Sequence, residues 1–409
     1  MSIISIFNGV FCKKENFLKD LIQKTGYNCL RDQDIISAAS TISGISDRTI
    51  EKAFSARASV FNKFTHERER SIAYLKQALA ELLVKDNLII DGFAGHLIPK
   101  QVTHALRVCI IADNKYRLNV AKNEEKFNES GAARLIRKMD ADCAQWVKRL
   151  HGIDDPWDAA LYDIITPANQ MTATEIVDLI MENLDKDILK ANVHSFKALD
   201  DFKLSAAVEV ALVNKGHQVG VKAETGNVTL TINKQVLLLS RLEEELKSIA
   251  GAIAGVKTVK TEIGPGFYQT DIYRKQNFEI PSKILLVDDE REFVQTLSER
   301  LLIRDMGSAV AYDGESALEL IQEDEPEVMI LDLRMPGIDG FEVLKRVKKT
   351  NPDIEVIILT GHGTRTDRDF CMGLGAFAYL QKPVDIDELS ETIKKANEQI
   401  RLKQESKKE

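Results

Sequence analysis

Between residues 283 and 402 lie five short apolar runs, KILLV, SAVAY, EVMIL, EVIIL and AFAYL, each followed by a helix-like segment. Short apolar runs alternating with helices are what the buried strands and crossovers of a parallel sheet require. This stretch is therefore expected to fold as a flavodoxin-like (βα)5 domain. KILLV runs directly into Asp288-Asp289, EVMIL into Asp332 and EVIIL into Thr360, while AFAYL is followed by Gln381-Lys382-Pro383. In open α/β sheets ligands bind past the carboxyl ends of the strands, where the strand order reverses. Folding would thus gather three carboxylates, one hydroxyl and one ammonium at a single edge.

Three carboxylates in one place repel, and each has a raised pKa unless a cation compensates. A hard divalent ion resolves the repulsion, and Mg2+ with carboxylate oxygens and retained waters is the expected occupant. Lys382 would balance the charge of an incoming phosphoryl group, and Thr360 could donate a hydrogen bond to one of its oxygens. Alone, an Asp-Asp at a strand end is often a helix N-cap and a Lys-Pro only a turn. The whole set at matching strand ends is far more specific.

The constellation closely resembles the receiver domains of bacterial response regulators, over residues 283 to about 402. The M-P-G-I-D-G run after Asp332 matches as well. The resemblance implies that Asp332 is phosphorylated by a sensor histidine kinase or a phosphotransfer protein. It implies Mg2+ held by Asp288, Asp289, Asp332 and the main-chain carbonyl of Arg334. Thr360 and Tyr379 would be the switch pair, with Tyr379 three residues before Lys382, and Lys382-Pro383 would carry a cis peptide.

At 409 residues the chain is too long for one hydrophobic core, and two to four domains are expected. A net charge of −8 gives no support to broad nucleic-acid binding. No helix-turn-helix pattern is evident, so no DNA partner is expected. No run approaches the length of a membrane span, and the N-terminus lacks the features of a signal peptide. Five scattered cysteines without metal or disulfide spacing fit a cytoplasmic protein.

Residues 1–190 alternate strand and helix, so a doubly wound parallel sheet is expected. ISIF opens as a strand, Glu15 to Thr25 reads as a helix stopped by Gly26, and NLIID and LRVCIIAD read as buried strands. Strand, Gly9, loop and helix invite comparison with a P-loop, which needs glycines for close backbone approach to phosphate and a lysine to reach it. Here only Gly9 remains, and Lys14, Glu15 and Asn16 stand where Gly-Lys-Ser/Thr belongs.

As a whole the region resembles the cytidylate kinase-like family of P-loop nucleotide kinases, through TGYNCLRDQDII, FTHERERSIAYL, DNLIIDGFAGHLI, LRVCIIAD and HGIDDPWDAALYDIIT. The resemblance implies nucleotide contacts by Gly9, Lys13, Lys14, Arg31 and Asp32, with the helix spanning Arg137 to Arg149 near a phosphate-closing lid. ATP and CMP are the implied ligands. Glu15, repelling phosphates where an ammonium should attract them, favours a degenerate fold kept as a binding module. Residual activity with Lys13 or Lys14 as the phosphate lysine is the alternative.

Residues 198–264 combine a helix, a hairpin across Thr225-Gly226-Asn227, a second helix and the strand TVKTEI. This small α+β module resembles a BON domain through GNVTLT and AGVKTVKTEI, which implies protein or membrane contact; a spacer is the plainer reading. Residues 265–282, with Pro265, Gly266 and Pro281, read as a linker. The expected protein is a response regulator whose output is protein contact or control of the N-terminal module. A phospho-regulated, cytidylate-type nucleoside monophosphate kinase is the alternative.

Overall fold

The computed structural model describes residues 2–85, 87–236, 238–267, 283–361 and 363–406. Beyond Phe267, the expected linker lies outside the described residues. The chain divides into two units, residues 1–58 with 67–274, and residues 59–66 with 275–409.

The N-terminal part of the chain runs β1 (Ile3–Asn8), α1 (Lys14–Thr25), β2 (Asn28–Arg31), α2 (Asp32–Ser43), α3 (Asp47–Glu51), α4 (Asn62–Thr65), α5 (Glu67–Leu82), β3 (Leu88–Asp91), β4 (Ala105–Ile111), α6 (Asn114–Asn123), α7 (Glu129–His151), β5 (Ile164–Pro167) and α8 (Ala173–Leu184). Its five strands form one parallel sheet in the order β2-β3-β1-β4-β5. Both faces of the sheet are buried. Ile3 and Ile90 face a core with Leu75, Leu79 and Trp146, whereas Ile4 and Ile6 face Phe17, Leu18 and Ile180. That is the period-two side-chain alternation of a strand covered on both sides.

Next come α9 (Val193–Asn214), β6 (Gly220–Glu224), β7 (Asn227–Ile232), α10 (Leu239–Gly251) and β8 (Thr258–Ile263). β6 and β7 pair antiparallel across the Thr225-Gly226 turn, and β8 adds parallel to β7. Helix α9 serves two cores. Leu199, Phe202 and Val210 pack with the α5 side of the first sheet, while Val208 and Leu212 pack on Val228, Leu230 and Leu246. Its hydrophobic residues therefore face two ways rather than in a single stripe.

The second unit contains β9 (Ile284–Val287), α11 (Arg291–Ile303), β10 (Ser308–Ala311), α12 (Gly314–Glu323), β11 (Val328–Leu331), α13 (Gly340–Thr350), β12 (Glu355–Thr360), α14 (Arg365–Gly373), β13 (Ala378–Gln381) and α15 (Ile386–Ser406). Its sheet is parallel throughout, in the order β10-β9-β11-β12-β13. The order reverses at β9, so the crevice expected for a ligand lies past the carboxyl ends of β9 and β11. No described helix is long and apolar enough to cross a membrane.

Candidate functional site

Register brings the acidic residues together. Leu331 pairs with Val287, so Asp332 and Asp288 leave adjacent strands side by side. Their backbones continue the ladder: Asp332 N donates to Val287 O at 2.9 Å and Asp288 N to Ala311 O at 3.2 Å. Asp288, Asp289 and Asp332 each offer a carboxylate oxygen, all within 4.8 Å of one another. Three carboxylates this close could share one divalent ion, with waters completing its shell. The donor set is all-oxygen and anionic, which fits a hard divalent ion.

Lys382 reaches into the same cluster. Its Nζ lies 2.7 Å from Asp288 Oδ2, 3.0 Å from Glu290 Oε1 and 3.2 Å from Asp332 Oδ2. The Phe293 ring sits beneath the ammonium, 4.4 Å from Nζ to centroid, a cation–π contact. Burial works against the charged amine, yet the hydrogen bonds to Asp288 and Glu290 outweigh it and hold the Lys382 pKa above the ordinary lysine value. Burial raises the Asp288 pKa, with the Lys382 hydrogen bond acting in opposition. Lys382 is tied to the neighbouring strand because its N–H donates to Thr360 O at 2.9 Å, and the Lys382–Pro383 bond is cis.

Asp332 is buried, and its Oδ1 accepts from Leu333 N at 2.6 Å and Arg334 N at 3.4 Å, which places the Arg334 backbone beside it. Gly340 closes the loop behind the carboxylate. A methyl there would lie 2.1 Å from Asp332 O, so the last glycine of the M-P-G-I-D-G run is required by close backbone approach. Thr360 is fully buried at the end of β12, and Tyr379 lies on the neighbouring β13, opposite Ile358. Among the described residues the buried Tyr379 Oη has no hydrogen-bond partner, and burial raises its pKa. Sequence reasoning missed Glu290 and Phe293 as partners of Lys382; their signal was proximity to the Asp288-Asp289 pair.

In the first unit a cavity of about 990 Å3 opens past the carboxyl end of β1, where the strand order reverses. Lys13, Lys14, Arg31 and Asp32 line it, but each already has a partner. Lys14 Nζ lies 2.9 Å from Asp91 Oδ2, Lys13 pairs with Glu124 at 2.5 Å, and Arg31 with Glu15 at 2.8 Å. Both Asp32 oxygens cap the turn after β3, accepting from Phe93 N at 2.8 Å and Ala94 N at 2.9 Å. Burial pushes the Asp32 carboxyl up to about 6.

Gly9 stands behind the lining, where a methyl would lie 2.6 Å from Ile111 Cδ1. Arg137 and Arg149, grouped with the nucleotide contacts from sequence, are exposed on α7 outside the lining. Lys138, Met139, Asp142 and Cys143 turn toward the cavity instead. Arg137 points off that helical face, and Arg149 lies two turns, roughly 10 Å, beyond Asp142.

Two features escaped the sequence reading, one in the cavity lining and one outside it. Asp91, at the end of the strand in NLIID, is 2% exposed, and its Oδ1 has no hydrogen-bond partner among the described residues. The buried Arg117 guanidinium grips Asp140 through two hydrogen bonds of 2.9 and 2.7 Å, and its Nε donates to Val10 O at 2.9 Å. It thereby pins a loop in which Phe11 and Lys13 adopt left-handed backbone.

Residues 284–394 match the response regulator receiver domain family, and residues 3–168 match the cytidylate kinase-like family. Response regulator MprA of Mycolicibacterium vanbaalenii is 36% identical over 110 residues, 27% of this chain and 48% of that protein. The chain thus spans about half the length of the MprA relative. A receiver domain structure from Clostridium thermocellum, 36% identical, aligns over 29% of this chain and 96% of its own, with a TM-score of 0.28. Sporulation initiation phosphotransferase F of Bacillus subtilis is 36% identical over 113 residues, which are 28% of this chain and 91% of that protein. Near-complete coverage of that relative, together with the family match over residues 284–394, decides the matter: through its C-terminal domain the chain belongs to the response regulator receiver family.

Proposed function

We propose that the chain is a phosphorylation-controlled signalling protein in which Asp332 accepts a phosphoryl group from a sensor histidine kinase or a phosphotransfer protein. The observation that carries this reading is the cluster of Asp288, Asp289 and Asp332 with Lys382 Nζ against two of the three. In the transfer, an Asp332 carboxylate oxygen forms the new bond to phosphorus while the bond to the donor's imidazole nitrogen breaks, and the imidazole takes up a proton. Asp288, Asp289, Asp332 and the Arg334 carbonyl would hold Mg2+, which when bound supplies positive charge to the phosphoryl oxygens.

Lys382 exchanges part of its carboxylate contacts for the arriving phosphoryl oxygens, and the buried Thr360 hydroxyl donates to another. The added charge of about −1.5 to −2 draws Thr360 toward Asp332, and Tyr379 repacks against the space it leaves. Incubation with acetyl phosphate and Mg2+ tests the acceptor by mass spectrometry. Wild type gains one phosphoryl group and Asp332→Asn gains none; equal labelling of the variant overturns the assignment.

In this scheme the protein is cytoplasmic and its output is protein contact or control of the N-terminal domain, which acts as a binding module. The balance of charge around the 990 Å3 cavity supports that role. Among the described residues its lining carries six basic and seven acidic side chains, so it lacks the positive excess a triphosphate needs. The three-stranded sheet is assigned to protein or membrane contact, supported by Lys222, Thr229 and Lys260, which register aligns across it.

A second reading, a phospho-regulated cytidylate-type kinase, is favoured by Lys14 at the mouth of the loop following β1. Isothermal titration with ATP and CMP, followed by a turnover assay, separates the two. Micromolar binding with turnover supports the kinase, and absence of turnover supports the binding module.

A further inference from the structure

The chain leaves the first unit after Ala58, gives residues 59–66 to the second, and returns to the first at Glu67. This short excursion is built into the receiver. Phe61 is 1% exposed and belongs to the hydrophobic cluster of Leu285, Ala311, Ile321 and Met329. Ser59 Oγ donates to the Asp324 carboxylate at the end of α12. Gly307 accommodates Phe64 closely, since a methyl on Gly307 would fall 2.1 Å from Phe64 Cγ.

The residues just before the excursion are fixed within the first unit. The Arg68 guanidinium, 7% exposed, donates to the carbonyls of Ser55 and Arg57, and Ala56 N donates to Asp142 Oδ1 at 2.6 Å. Glu51, Lys52, Phe54, Ser55 and Asp142 line the 990 Å3 cavity. One continuous segment therefore begins as cavity wall, passes through a clamp at 55–57, and enters the receiver core at Phe61.

We propose that residues 55–66 are a coupling strap, whose seating in the receiver core and whose hold on the cavity wall form one linked equilibrium. Seated, the strap holds the wall at 51–57 in place; released, it loosens that wall. Because linkage is reciprocal, loosening the clamp also weakens the seat. The strap is a discrete element that is either in or out of a packed core, which is the physical requirement for transmitting a state along a chain.

Hydrogen exchange on the full chain, without nucleotide or phosphorylation, tests this independently of the functional readings above. Phe61→Ala empties the seat, and Gly307→Val blocks it from the receiver side. Both should accelerate exchange in peptides covering 51–57 at least tenfold, while α8 stays at the wild-type rate. In the reverse direction Asp142→Ala, which removes the acceptor for Ala56 N, should accelerate exchange across 59–66. Should a variant fail to fold, the milder Phe61→Leu gives the same comparison. Faster exchange at 59–66 with unchanged protection at 51–57 overturns the proposal, as does an Asp142→Ala effect confined to the first unit.

Discussion

Lys382 Nζ lies 3.2 Å from Asp332 Oδ2 while also contacting Asp288 Oδ2 at 2.7 Å. One ammonium thus serves two buried carboxylates that would otherwise face each other uncompensated. Lys382→Ala should destabilise the second unit by about 3 kcal/mol in the absence of divalent ions. Added Mg2+ should recover more melting temperature in the variant than in wild type, because the ion replaces the missing charge. Calorimetric scans with and without Mg2+ check this, and equal Mg2+ shifts in the two proteins would count against a shared cation site.

Tyr379 Oη is buried with no partner among the described residues, so its hydroxyl carries a desolvation cost with no compensating bond there. Tyr379→Phe should leave the unphosphorylated protein as stable as wild type or up to about 1 kcal/mol more so. Urea unfolding followed by circular dichroism gives the comparison. A clear loss of stability would show that the hydroxyl is bonded in solution.

Arg117 is 2% exposed, and Asp140 supplies its counter-charge through two hydrogen bonds. Asp140→Ala leaves a buried guanidinium unpaired and should cost about 3 kcal/mol. The loop held by Arg117 at Val10 should loosen with it, and exchange at residues 9–13 should rise. Denaturant titration combined with hydrogen exchange reads both effects.

Burial, aided by the charges of His151 and Arg107, pushes the His96 pKa down to about 3. The folded state keeps this imidazole neutral, while the unfolded chain takes up a proton below about 6.5. The stability tied to neutral His96 is thus fully present above pH 6.5 and is lost as pH falls toward 3. A loss of about 2 kcal/mol is expected between pH ~6.5 and ~4.5. His96→Gln should flatten this part of the profile. Tryptophan fluorescence is a suitable probe, because both tryptophans, Trp146 and Trp157, lie in the first unit.

The carboxylate cluster was legible in sequence because Asp288 and Asp332 each directly follow a short apolar strand, and a parallel sheet places such positions at one edge. Asp288, Asp332 and Thr360 needed no long-range information beyond that rule. The first unit was less legible. Arg137 and Arg149 look suitable for phosphate as isolated charges, but their orientation depends on which face of α7 packs inward, and that is set by distant partners such as Phe93 and Phe54 around Trp146. The FTHER stretch reads as part of the N-terminal domain, yet Phe64 to His66 belong to the second unit. Local pattern marks Phe61 as apolar and is silent about which core receives it.

The two-sidedness of α9 sets a limit on how this protein can be dismantled. Cutting the chain ahead of Val193 would strip Leu199, Phe202 and Val210 from the α5 side and leave greasy surface exposed to water. Cutting after Asn214 would rob the little sheet of its floor. Neither half is a detachable cassette, so heating should melt them together in a single step, and shuffling either one into another protein would demand a new helix to stand in for the shared one.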